Sequence, residues 1–306
     1  MPVKKTVLIT GCSAGGIGAS LALEFHRRGL HVFATARSVD KMSALASAGI
    51  TCLALDTTSA ESIAAAVAQV DKAISGSGVS AGGGRSSSTG GGLDYLINNA
   101  GIVHVRPFLD STMDEIRRVI DTNLVGVMAV THAFLPMLIR ARGVIATIGS
   151  INEVFLPPFQ TSYNATKAAV HVWSNSLRME LKPLGVRVVT VVTGAVRSKL
   201  MENEAERNAG GGGGGHDGKS EPFPEGSYYK PCESWIRDRE FLKTAQWQET
   251  DAYARDVVAA LLKEEPKHTL WKGGMATIAW MVNLLGWEGM MDGVFSNQSR
   301  LNQIKV

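Results

Sequence analysis

The chain has 306 residues, 45% of them hydrophobic, which is ample for a large core and allows one large domain or two small ones. Its 31 basic and 28 acidic residues leave a formal charge of +3 with no basic stripe, so nucleic acid is not an expected partner. Cys12, Cys52 and Cys232 are few, widely spaced and odd in number, which argues against a disulfide framework or a zinc site and points to a reducing, cytoplasmic compartment.

The chain opens with "MPVKKTVLIT", whose apolar run is too short for a signal peptide. Strand patterns at 6–10, 31–36, 51–55, 93–98, 143–149 and 186–192 alternate with helical patterns at 17–29, 39–48, 59–74, 112–140 and 161–182. The strands are continuous Val/Ile/Leu runs rather than strict alternations, as in strands covered on both faces. This order predicts a single α/β domain over 1–306, a Rossmann-type doubly wound parallel sheet with helices on both faces. The Gly/Ser-rich stretch 75–92 reads as a flexible insertion, and 209–218 as a second flexible piece. Residues 195–250 are expected to form a substrate lid, and 268–306 a C-terminal helical extension. Within the extension, "GGMATIAWMVNLLGW" (273–287) falls short of the ~20 residues of a spanning helix. It reads as core, partner interface or, over 273–291, a surface for peripheral membrane contact.

"LITGCSAGGIGASLALEF" follows the first strand and opens the first helix. Glycines at such a turn let backbone approach a pyrophosphate, and the helix N-terminus supplies N–H groups and partial positive charge. The spacing is Gly11-x4-Gly16-x-Gly18, with Gly15 also present, and Gly11, Ser13, Gly16, Ile17 and Gly18 are the expected cofactor contacts. An NAD site usually has an acidic residue at the end of the second strand. Here "ATAR" ends in Arg37, which with Ser13 suits a 2′-phosphate and makes NADP(H) the expected cofactor.

In "TSYNATKAAV", Tyr163 and Lys167 stand at i and i+4 on one helical face. A free tyrosine, with a pKa of about 10, is a poor acid–base catalyst near neutrality. A nearby ammonium is expected to lower that value and let the phenol exchange a proton with a carbonyl oxygen. Ser150 ends an apolar strand, where its hydroxyl can hold the same oxygen.

These residues together resemble the short-chain dehydrogenase/reductase superfamily. The resemblance rests on "TGCSAGGIG", "NNAG" (98–101), Asn123 in "DTNLVG", Ser150 in "IGSI" and "YNATK", and runs over about residues 3–200. "VFATAR", "PPFQTSYNATKAAVH", "LRMELKPLGVRVVTVVTGAV" and "DAYARDVVAALL" are similar to the fungal 1-acyldihydroxyacetone-phosphate reductase group. That likeness implies NADPH-dependent ketone reduction on a lipid-like or secondary-metabolite substrate, and a location extending to endoplasmic reticulum or lipid-droplet surfaces. Two features depart from the superfamily pattern: the glycine loop is one residue longer, and Thr193-Gly194 replaces the usual Pro-Gly.

By the same resemblance, Asn123 supports a proton-relay water beside Lys167, and Lys167 reaches the nicotinamide ribose. Asp56 and Thr57 are expected to meet the adenine, and Asn99, Ala100 and Gly101 the adenosine ribose side. Val196 and Ser198 are expected near the carboxamide. A homodimer or homotetramer is implied through the helices near 112–140 and 161–182. No metal is expected, and His104, His132 and His171 read as lone core or surface histidines. The aromatic residues of 221–248 line either an apolar substrate pocket or a core, and Arg197 and Lys199 leave room for an anionic head group. The reading from another class is a non-catalytic NADP(H)-binding scaffold or sensor, against which the complete Ser150, Tyr163 and Lys167 set argues.

Overall fold

A computed structural model describes residues 4–76, 92–209, 222–243 and 245–304. Most of the predicted insertion at 75–92 and of the glycine tract at 209–218 lies outside the described residues. In chain order the elements are β1 (Thr6–Ile9), α1 (Ile17–Arg27), β2 (His31–Ala36), α2 (Ser43–Ser47), β3 (Thr51–Ala54), α3 (Ala60–Gly76) and β4 (Tyr95–Asn98). Then come α4 (Met113–Ile120), α5 (Gly126–Ala141), β5 (Val144–Ile148), α6 (Asn152–Phe155), α7 (Thr161–Leu181), β6 (Arg187–Thr193) and β7 (Val196–Arg197). The chain continues through α8 (Leu200–Ala209), α9 (Glu233–Arg237), β8 (Gln248–Glu249), α10 (Thr250–Leu261), β9 (Thr269–Lys272), α11 (Ala276–Leu285) and α12 (Asp292–Gln298).

Seven strands form one sheet in the order β3-β2-β1-β4-β5-β6-β9, with every neighbouring pair parallel. Apolar side chains fill both faces. On one, Phe25 of α1 and Tyr253 and Val257 of α10 pack with Val7, Ile9 and Val191. On the other, Ile63 and Val70 of α3, and Phe134 and Leu138 of α5, pack with Leu8, Leu96 and Ile145. The strand order reverses between β1 and β4, and in such sheets the crevice beyond the strand C-termini is where ligands bind.

Two expectations change. The helix predicted over 112–140 is two helices joined by a π-helical turn at Asp121–Val125, and Asn123 sits in that turn. By length and composition Met113–Ala141 is apolar enough to cross a membrane, yet Val130, Phe134 and Leu138 face the sheet as core. The C-terminal extension also contributes β9 to the sheet edge, so it becomes purely helical only after Lys272.

Candidate active site

The glycine loop joins β1 to α1, and three of its glycines have distinct physical duties. Gly11 has φ +75°, and a Cβ there would lie 2.8 Å from the Ala100 Cα. At Gly18 a Cβ would lie 2.4 Å from the Gly11 carbonyl oxygen, so this residue lets α1 pack against the loop and does not itself face the cleft. Gly16 caps α1 in an extended conformation with no side-chain cap, leaving first-turn N–H groups for a ligand. Asn99 braces the loop, its Nδ2 donating to the carbonyls of Thr10 (2.8 Å) and Gly11 (3.0 Å). The Thr10 hydroxyl accepts from the backbone N–H of Asn99 and Ala100.

β2 ends beside this loop, and Arg37 follows it on the surface, exposed and lining the cleft. Asp56 takes the Thr58 N–H and hydroxyl on Oδ1. Those bonds, with Arg37 adding a smaller attraction, hold its carboxyl below the usual carboxylate range. A loop cleared of Cβ atoms at its crossing points, with an arginine rather than an acid after β2, fits a dinucleotide bearing a 2′-phosphate.

At the other end of the cleft, β5 delivers Ser150 and α7 delivers Tyr163 and Lys167, all three buried. The Ser150 hydroxyl stands close enough to the Tyr163 phenol to favour its ionised form. Lys167 Nζ donates to the Ile148 carbonyl at 2.8 Å and lies 5.6 Å from the Tyr163 ring centroid. The expected lowering of the tyrosine by this ammonium is not what the structure gives. Burial pushes the Tyr163 phenol up to about 12, the nearby Ser150 hydroxyl pulls it down, and Glu153 adds to the rise. The ammonium faces a backbone carbonyl and the ring face, so desolvation dominates. Burial likewise brings Lys167 down to about 8, opposed by Glu153. Tyr163 is therefore a neutral phenol near neutrality, able to donate.

Asn123 does not line the cleft. Its amide clamps the backbone of Ile102 in both directions at 2.8 Å and donates to Thr166 Oγ1 at 3.2 Å, tying the segment after β4 to α7. Apart from Asn123 and Gly18, all the expected catalytic and cofactor residues line one cleft. Its volume is about 2010 Å3, beyond the ~300–1,000 Å3 of a single-ligand pocket, which leaves room for a dinucleotide and a second ligand.

The aromatic residues divide. Trp235, Phe241, Trp247 and Met275 line the cleft. Phe223 is buried behind it in a cluster with Phe159, Tyr163 and Trp235, and Tyr228, Trp280 and Met281 are exposed elsewhere. Arg197 and Lys199 also line the cleft, with Arg197 paired to Glu249 at 2.8 Å. The Lys199 stem lies across the glycine loop, where a Cβ on Gly15 would come within 2.8 Å of it.

Sequence reasoning missed Asn152. It links Ser150 to the loop ahead of α7, accepting from the serine hydroxyl and donating to Gln160 (3.0 Å) and Asn164 (2.9 Å). Only its nearness to Ser150 marked it. His171 is not a lone histidine, because its Nδ1 hydrogen-bonds Glu153. Cys12 is buried in the loop, where desolvation pushes its thiol up to about 12, so it is inert.

The comparisons with known proteins agree with this architecture. A family profile described as short chain dehydrogenase matches residues 5–209. The chain is 36% identical over 302 residues to the short-chain dehydrogenase virD of Hypocrea virens, covering 99% of this chain and 95% of that protein. It is 42% identical over 201 residues to the NADPH-dependent 1-acyldihydroxyacetone phosphate reductase of Schizosaccharomyces pombe, covering 66% and 63%. Similar folds include a short-chain dehydrogenase from Streptomyces avermitilis, with TM-score 0.72, 24% identity and coverage of 99% and 98%. Another, from Burkholderia cenocepacia in complex with NADP, has TM-score 0.64, 22% identity and coverage of 92% and 94%. With the profile spanning both the glycine loop and the Ser150, Tyr163 and Lys167 wall, and full-length relatives above the 30% range, the chain belongs to the short-chain dehydrogenase family of oxidoreductases.

Proposed function

We propose that the protein is an NADP(H)-dependent ketoreductase that reduces a ketone, or oxidises the matching secondary alcohol, on a bulky and largely apolar substrate. One observation carries the reading: a glycine loop at a helix N-terminus shares a single cleft with Ser150, Tyr163 and Lys167. NADP(H), when bound, supplies or accepts the hydride. The Ser150 hydroxyl and the Tyr163 phenol hold the substrate oxygen, and the Tyr163 proton moves to it as its charge develops. Lys167 keeps a positive charge beside the phenol. Asn123 holds the segment after β4 against α7. Arg37, helped by Ser13, reads the 2′-phosphate, and Lys199 adds positive charge over the glycine loop.

Trp235, Phe241, Trp247 and Met275 support an apolar substrate, and Arg197 and Lys199 an anionic head on it. A fungal lipid or secondary-metabolite ketone fits this description. The same reading includes a homodimer or homotetramer, peripheral membrane contact through 273–291, and a cytoplasmic location reaching endoplasmic reticulum or lipid-droplet surfaces.

The test is NADPH and NADH consumption over ketones of rising apolar area. Turnover of large apolar ketones with NADPH is expected. Preference for small polar ketones would overturn the substrate class. NADPH binding with no consumption by any ketone would favour a scaffold or sensor.

A further inference from the structure

Tyr163, Lys167 and His171 recur every fourth residue along α7, so they stack on one face. Glu153, on α6, meets that face at His171. Its Oε1 accepts from His171 Nδ1, and its side chain is only 5% exposed. The other oxygen, Oε2, is buried with no hydrogen-bond partner. It faces Gly149, where an added Cβ would lie 3.4 Å from it. Gly149 and Ser150 line the cleft and Glu153 does not, so the carboxylate sits one layer behind the reacting groups.

A clamp between α6 and α7 needs only the bonded oxygen. Burying the second without a partner is costly, and the residual negative charge acts on whatever ionisable groups face it. Those groups are Tyr163, Lys167 and His171, all from α7. α11 also packs on α6, and Ala276–Leu285 carries no ionisable side chain. Near Gly149, β6 brings Thr190 and Val191, and β6 (Arg187–Thr193) carries no ionisable side chain beyond Arg187 at its far end. A negative charge here favours an ammonium over an amine and a phenol over a phenolate.

We propose that Glu153, held by His171, is a positioning residue for charge: its carboxylate keeps Lys167 an ammonium and Tyr163 a phenol, so that the resting site is poised to give a proton. This rests on the reading of Tyr163 as the proton donor. The direction agrees with burial and charge at the two groups: Glu153 opposes the fall of Lys167 and reinforces the rise of Tyr163.

The experiment follows Lys167 by NMR of 13Cε-labelled lysine, with its resonance assigned by loss in Lys167→Met. Glu153→Gln keeps the shape and a bond to His171 but removes the charge. Its Lys167 titration midpoint is expected to fall by about half a pH unit or more relative to wild type. Glu153→Asp restores the midpoint. His171→Lys places a permanent cation beside an intact Glu153 and is expected to lower the midpoint likewise, which decides the matter if Glu153→Gln does not fold. An unchanged midpoint in either folded variant, judged by near-ultraviolet circular dichroism, overturns the proposal and leaves Glu153 a structural clamp. The readout needs no turnover, so a chain that reduces no ketone would sink the proposed reaction without affecting this result. Where turnover is measured, the alkaline limb of reductive kcat/KM moves to lower pH in Glu153→Gln.

Discussion

Removing the Tyr163 hydroxyl while keeping its ring separates proton transfer from packing. In Tyr163→Phe the ring still fills its place among Val103, Phe159 and Trp235. Turnover is expected to fall about 10²-fold or more, with NADPH affinity retained in a fluorescence titration. Near-normal turnover would remove Tyr163 from its role. Lys167 offers a test of opposite sign. Its folded value is depressed to about 8 from 10.5, so the buried ammonium weakens the fold below about pH 8, and this penalty fades as pH rises toward 10.5. Lys167→Met is therefore expected to abolish activity yet raise stability by up to about 3 kcal/mol near pH 7, less the lost bond to the Ile148 carbonyl. Denaturation at pH 7 and pH 10 checks it: a gain that does not shrink at the higher pH contradicts the burial argument. Arg37 is exposed, so its replacement costs the fold little. Arg37→Ala is expected to weaken NADPH binding by about 1–3 kcal/mol and to leave NADH nearly unchanged. Equal losses for both would show that Arg37 does not read the phosphate.

Elements with a continuous apolar run could be read from the chain alone, and those defined by contact could not. β1, β4, β5 and β6 announce themselves as apolar runs because both faces of each are covered, whereas β3, at the sheet edge, is only partly buried. β9 is "TLWK", four mixed residues whose strand state comes only from pairing with β6, and β7 and β8 are two residues each. The π turn around Asn123 keeps a helical pattern of side chains, so its altered hydrogen bonding leaves no mark in sequence. The site divides in the same way. Tyr163 and Lys167 are legible because their spacing is local. Glu153 and His171 are separated by a loop in which Leu156 and Phe159 take positive φ, and no pattern predicts where such a loop sets them. In the glycine loop the extra residue hid which glycine serves which purpose until contacts were known. Gly18→Ala is now expected to destabilise the protein by about 1–3 kcal/mol, because backbone and the Asn99 amide must give way. Gly29→Ala, with open space around it but φ +86°, is the control for strain without crowding. Thermal melts and NADPH titration of both variants check this: only Gly18→Ala is expected to lose cofactor affinity.

At the scale of the whole molecule, two exposed apolar surfaces compete for explanation. One lies on α7, with Val172 and Met179 exposed, and belongs to a helix proposed for subunit pairing. The other is the C-terminal extension, where Leu284, Leu285 and Trp287 are 62%, 76% and 71% exposed. The extension has no charged residue from Gly273 to Trp287. Further along, Met291 and Val294 line the cleft, so the extension that carries the patch also reaches the cleft proposed to hold the substrate. The proposed membrane contact would account for both features, since tryptophan suits the lipid–water boundary and the proposed apolar ketone would partition there. Burying a leucine or tryptophan of this kind contributes about 1.5–3 kcal/mol, so losing three such side chains has a large effect on binding. The variant Leu284→Ser, Leu285→Ser, Trp287→Ser is expected to reduce cosedimentation with phosphatidylcholine vesicles by about 10-fold or more. Its mass by light scattering and its NADPH affinity are expected to match the wild type. A variant that dissociates into smaller species would assign the patch to a subunit interface. One that changes neither vesicle binding nor mass would show that the patch docks on nothing of either kind, and membrane contact through 273–291 would be wrong.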